Sequence, residues 1–170
     1  MNLHIVRHGI AFDVGQQGIE RDADRHLSPD GQRKTAMVGR GLRAMGAKPE
    51  RIGASPLVRA EQTARILAAE LGREGEVEIC DFLAPGASAR DVVAWAARGG
   101  WREAMIVGHN PDMPDIAAAL IGSAAAGLLF KKAGAAKIAF DNEPEISTGE
   151  LQWLIQPGQM LALLKASPNP

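Results

Sequence analysis

"LHIVRHGI", residues 3–10, is an apolar run near the start of the chain that ends abruptly in Arg7, His8 and Gly9. A short run rich in branched aliphatics reads as a strand buried on both faces, the kind found inside a parallel sheet. Two side chains able to carry positive charge at its end allow two readings. One is a strand that merely finishes in polar residues; the other is a phosphate site with histidine as nucleophile. Ligands of open α/β sheets bind beyond the carboxyl ends of the strands, so the choice turns on how the other strands end.

Working outward, "SPDGQRKTAMVGRGLRAMG" opens a helix with Ser28 as N-cap and Pro29 in its first turn. Met37, Val38, Leu42 and Met45 fall on one face, and Gly46 is placed to stop it. Residues 51–55 form a second strand, and "LVRAEQTARILAAELG" a helix with Ala60, Ala64, Leu67 and Leu71 on one side and Gly72 at its end. A third strand follows over 77–80, a helix over 89–98, a fourth strand over 104–107, and a helix from about Pro111 or Met113 to Ile121. Strands over 136–140 and 151–155 flank "DNEPEISTG" as an edge hairpin, and "SPNP" is expected to fray. This alternation predicts one α/β domain over residues 1–170: a single open, mostly parallel sheet with helices on both faces and an antiparallel C-terminal edge hairpin.

Composition narrows the function. The 170 residues are 46% hydrophobic and 23% charged, with a net charge of -1, which gives no reason to expect affinity for nucleic acid or anionic membranes. The single cysteine, Cys80, excludes an internal disulfide and a cysteine-rich zinc site, and reads as a small buried hydrophobe. "MNLHIVRHG" is unlike a signal peptide, and the apolar stretch over 116–130 is broken by Gly122, Ser123 and Gly127. The expected compartment is the cytoplasm.

Three strand ends carry unusual polar residues: Arg7-His8-Gly9, then "SPLVRAEQT" with Arg59 in the first helical turn, then "VGHNPD" with His109 and Asn110. Each alone has a bland explanation, since histidines are often structural and arginines usually solvated. In one sheet, however, the ends converge. Two histidines and two arginines beside small Gly and Ser residues then make an anion site, because arginine grips phosphate oxygens in pairs.

"RHG", "SPLVRAEQT" and "GHNP", in this order, resemble the histidine phosphatase superfamily, with its phosphoglycerate mutase-like fold. The small size and the "DRHLSPDG" segment resemble its compact SixA-type phosphohistidine phosphatases. The resemblance implies that His8 attacks phosphorus and becomes phosphohistidine, that Arg7 and Arg59 clamp the phosphoryl oxygens, and that His109 donates to the developing charge. Gly9 would admit the phosphate to the backbone, Ser55 and Asn110 would support the site, and Arg25 would reach the pocket mouth as a substrate contact. The positive neighbours would keep His8 neutral. No metal or cofactor is implied.

Larger members of that family carry a carboxylate general acid after the third strand. Here the segment reads "CDFLAPGAS", with Pro85 near that place and Asp81 the only nearby carboxylate. An open pocket without an acid suits phosphohistidine on a protein partner, in signal transduction, better than an enclosed sugar phosphate. A phosphatase of small phosphate esters is the alternative. A silent phosphate-binding module has no use for a nucleophile, and a mutase needs the missing acid.

Overall fold

The computed structural model describes residues 1–123 and 127–166. Its strands are β1 (Asn2–Arg7), β2 (Arg51–Ala54), β3 (Val77–Ile79), β4 (Glu103–Gly108), β5 (Ala135–Ala139) and β6 (Glu150–Ile155). Its helices are α1 (Pro29–Ala44), α2 (Val58–Leu71), α3 (Ala89–Gly99), α4 (Asp112–Leu120) and α5 (Pro157–Ala166). The strands form one sheet in the order β3-β2-β4-β1-β5-β6. The first four are mutually parallel, while β5 runs antiparallel to both β1 and β6. The expected fold class is what the chain adopts.

Alternation along the central strands divides the core between two faces. Leu3 and Ile5 of β1, with Ala104 and Ile106 of β4, pack on Val92 and Trp95 of α3 and Met113, Ile116 and Leu120 of α4. Val6, Met105 and Val107 point the other way, against Val38 and Leu42 of α1, Ala60, Ala64 and Leu67 of α2, and Met160 of α5. Strands covered on both faces need apolar residues at every position, which is why β1 and β4 read as runs rather than alternations.

Helix ends follow the expected chemistry. The Ser28 hydroxyl accepts from the Gly31 N–H, and Gly72 closes α2 at φ 66°, a left-handed conformation that glycine adopts without strain. Ser88 caps α3 in the same way as Ser28 caps α1. Two expectations on the α1 side need correction. Met45 lies beyond the last helical turn and is 42% exposed, so it does not share the buried face of Val38 and Leu42. The sequence reading also assigned no element to 157–166, where α5 forms; among its described side chains Met160 alone is buried, against Gly41 of α1 where a Cβ would overlap its sulfur. A helix held by so narrow a contact shows little apolar periodicity. The "SPNP" tail lies outside the described residues.

This sheet order sets β2, β4 and β1 side by side, so their carboxyl ends open onto one rim. Among the described residues, no helix is long and apolar enough to cross a membrane.

Candidate active site

The segment after β1 is held on both sides. The His8 N–H donates to the Gly108 carbonyl at 2.9 Å, and the Ala133 N–H donates to the His8 carbonyl at 3.0 Å. Beyond it, Gly9 N–H donates to Thr63 Oγ1 (2.9 Å), whose hydroxyl donates to the Arg59 carbonyl (2.7 Å). Thr63 lies one turn past Arg59 on α2, so a single side chain ties the "RHG" backbone to the helix that carries the second arginine. The first turn of α1 closes the other side: Ser28 N–H donates to the Ile10 carbonyl at 2.9 Å. Gly31 approaches the same carbonyl so closely that a Cβ would overlap it. Gly9 is crowded from within, since a Cβ there would lie 2.5 Å from Thr35 Oγ1. Its small size is required for packing against α1, a reason different from the expected approach of phosphate.

His8 and His109 stand together, ring centroids 5.1 Å apart, and are 6% and 3% exposed. Nδ1 of His8 lies 2.7 Å from the Gly9 carbonyl oxygen. A carbonyl only accepts, so Nδ1 carries the proton and the lone pair of the neutral ring resides on Nε2. Burial is the largest cause that lowers the His8 pKa, to about 3, with His109, Arg59 and Arg7 adding charge repulsion and the Gly9 carbonyl opposing. The expected repulsion by positive neighbours is therefore real but secondary to burial. His109 is lowered to about 4, again first by burial and then by Arg59.

Ser55, fully buried at the end of β2, places Oγ 2.7 Å from His109 Nε2 and accepts the Leu57 N–H at 3.3 Å. If its hydroxyl proton lies on the short contact, His109 Nε2 accepts it and Nδ1 carries the ring's N–H. That Nδ1 is buried with no partner among the described residues.

Both arginines show the same arrangement. Arg7 Nη1 donates to the Phe130 carbonyl at 2.8 Å, and its Nε is buried without a partner. Arg59, 5% exposed, donates from Nη1 to the Asp22 carbonyl (2.7 Å) and from Nη2 to Asp22 Oδ2 (2.9 Å), and its Nε is likewise buried and unpartnered. Asn110 Nδ2 reaches the same Phe130 carbonyl as Arg7, at 3.2 Å. Its connection to the cluster is thus through the loop that steadies Arg7.

Arg25, expected at the pocket mouth as a substrate contact, is engaged within its own loop. Its Nε donates to the Phe12 carbonyl (2.6 Å), Nη1 to Asp22 Oδ1 (3.0 Å) and Nη2 to Asp13 Oδ1 (2.6 Å). Its link to the cluster runs through Asp22. Sequence reasoning overlooked both Asp22 and Thr63. Thr63 had a signal, the four-residue spacing from Arg59 that puts both on one helical face, whereas Asp22 sits in a charge-rich loop with no spacing rule.

Carboxylates near the cluster are few. Asp81 is exposed and opens a short turn after β3. Asp112 accepts from the Gly86 and Ala87 N–H groups at 2.9 and 3.3 Å, fixing the loop between β3 and α3. Hydrogen bonding from Arg25, then from Arg59, holds Asp22 below the usual carboxylate range, so it is ionised at neutral pH.

Known proteins are similar to this chain in sequence and in fold. The family model for the histidine phosphatase superfamily (branch 1) matches residues 3–84, the part that carries Arg7, His8, Ser55 and Arg59. An uncharacterized protein of Picosynechococcus sp. is 37% identical over 171 residues, covering 91% of this chain and 99% of that protein. The mitochondrial serine/threonine-protein phosphatase Pgam5 of Drosophila ananassae is 36% identical over 84 residues, 49% of this chain but 28% of that protein. Among solved structures, the protein histidine phosphatase SixA complexed with tungstate superposes with a TM-score of 0.81 at 23% identity, covering 93% of this chain and 98% of that one. The chain belongs to the histidine phosphatase superfamily.

Proposed function

We propose that this phosphatase of the histidine phosphatase superfamily hydrolyses phosphohistidine on a protein partner, through a phosphohistidine formed on its own His8 and without a metal. One observation carries the reading. Beside the neutral His8 and His109 stand the buried Nε–H groups of Arg7 and Arg59, neither with an acceptor among the described residues. Buried donors normally find partners, and a phosphoryl group supplies the oxygens these lack.

The steps follow from the proton positions. Nε2 of His8 attacks phosphorus in line, forming a P–N bond as the P–N bond to the substrate imidazole breaks. The leaving ring keeps the electron pair and departs neutral if its other nitrogen is already protonated. As His8 gains positive charge, its Nδ1–H donates more strongly to the Gly9 carbonyl. Arg7, Arg59 and His109 meet the charge on the equatorial oxygens. Water then attacks phosphorus, the electron pair of the breaking P–N bond returns to Nε2, Nδ1 keeps its proton, and both protons of the water leave on the phosphate. Arginines provide the positive charge that a metal would otherwise bring; among the described residues, no group of three His, Cys, Asp or Glu side chains is gathered to hold one.

Among the described residues, the carboxylates near the cluster are engaged as acceptors, Asp22 by Arg25 and Arg59 and Asp112 by the Gly86 and Ala87 N–H groups, which supports the substrate class. Imidazole, with a conjugate-acid pKa of about 6.5, leaves without help, whereas an alkoxide needs a delivered proton. General acid catalysis is worth roughly 10²- to 10⁴-fold. The kcat/KM for a phosphohistidine protein should therefore exceed that for a phosphoserine peptide by about a hundredfold or more. Equal efficiency on both would remove the preference for phosphohistidine and favour an ester phosphatase.

A further inference from the structure

We propose that Asp22 is a positioning residue that fixes the Arg59 guanidinium by the end of its fork, so that the Nε edge is presented to the phosphoryl group in the transition state. The inference rests on the reading of Arg59 as a phosphoryl clamp. Asp22 does not touch His8; it acts through Arg59.

A guanidinium has five N–H groups in a rigid plane, with an end formed by Nη1 and Nη2 and a side formed by Nε and Nη2. Asp22 takes one proton from each terminal nitrogen, using its main-chain carbonyl for Nη1 and Oδ2 for Nη2. Two acceptors on one residue set both the place and the tilt of the plane. The Nε–H, buried and unpartnered, is what remains for an oxyanion, together with the second Nη2 proton.

Asp22 is itself immobilised. Its other oxygen, Oδ1, accepts from Arg25, which also grips the Phe12 carbonyl and Asp13 on the opposite limb of the loop. Arg25 therefore staples the loop shut, and the stapled loop holds the clamp. Because Asp22 sits at the end of the fork, phosphoryl binding at the Nε side does not require its displacement. Its negative charge also balances a guanidinium that is 5% exposed and would otherwise be buried without a counterion.

The opposite possibility, in which Asp22 competes with phosphate for Arg59, predicts the reverse sign, and this makes the test sharp. Binding of orthovanadate, which mimics the transition state, and of inorganic phosphate is measured on wild type, Asp22→Ala, Arg25→Ala, Arg59→Ala and Asp22→Ala/Arg59→Ala, with thermal unfolding to establish that each is folded. A misdirected clamp should weaken vanadate and lower kcat by about tenfold in Asp22→Ala, the worth of one charge-assisted hydrogen bond. Phosphate affinity should change by less than about threefold. Arg25→Ala should give a smaller loss of the same kind, and Asp22→Ala should add nothing once Arg59 is gone. Tighter vanadate binding in Asp22→Ala, equal losses for vanadate and phosphate, or an undiminished loss in the Arg59→Ala background would overturn the proposal while leaving the clamp intact. Unchanged vanadate affinity in Arg59→Ala would overturn the clamp itself.

Discussion

Strand β1 carries one buried histidine within it and delivers another just past its end, and the two keep very different company. His4, 1% exposed, places Nε2 2.8 Å from Glu103 Oε1 and rests its ring 5.7 Å from that of Trp153. Glu103 also accepts the Lys48 N–H at 2.6 Å, so the pair closes a joint between β4 and the segment before β2. His8 has no carboxylate partner; its neighbours are a second histidine and two arginines. Burial is shared, and it is the charge of the surroundings that differs. The histidine paired with a carboxylate joins two segments of structure, whereas His8, held neutral first by burial and then by its cationic neighbours, keeps a lone pair for chemistry.

Exchange of the two should break the symmetry completely. His8→Ala is expected to reduce turnover by about a thousandfold or more, because no other group takes over a covalent step, while circular dichroism and the unfolding temperature stay near wild type. Retained turnover in that variant would place the nucleophile elsewhere.

Acid should report on the two histidines of the site. Unfolded histidine protonates near 6.5, whereas His8 stays neutral to about 3 and His109 to about 4. Between those values the unfolded chain binds more protons, so stability is complete above about pH 6.5 and is lost as pH falls, by up to about 1.4 kcal/mol per pH unit for each ring. Urea unfolding at pH 7 and pH 5 should show this slope, and a His8→Asn/His109→Asn variant should flatten it.

The smallest effect belongs to His4. His4→Ala leaves Glu103 without its buried partner and should cost about 1–3 kcal/mol of stability, with activity per folded molecule unchanged. A selective loss of kcat there would mean that the structural end of β1 is coupled to the site.

Much of this was legible in the chain. The runs of β1 and β4 declare strands buried on both faces, and the polar residues at their ends declare a rim, so His8, Arg7, Arg59 and His109 are readable as a set. What escaped reading depends on tertiary contact. Asp22 lies in a loop whose charges look solvated until Arg59 is seen to need a counterion, and Arg25, read as a substrate contact, is engaged within that same loop. Gly9 and Gly31 are small because α1 presses on the segment after His8, and no local pattern records that pressure. Helix α5 sits on α1 chiefly through Met160, too little to imprint a period.

The account stands on covalent transfer to one nitrogen of one residue, and trapping that adduct tests it most directly. The protein is mixed with a partner protein bearing radiolabelled phosphohistidine, quenched in alkali during turnover, digested, and the label mapped. An alkali-stable, acid-labile phosphate is expected on the peptide carrying His8, attached at Nε2 and absent from His8→Ala. Label on another residue, or turnover with no phosphoenzyme at any quench time, would contradict it.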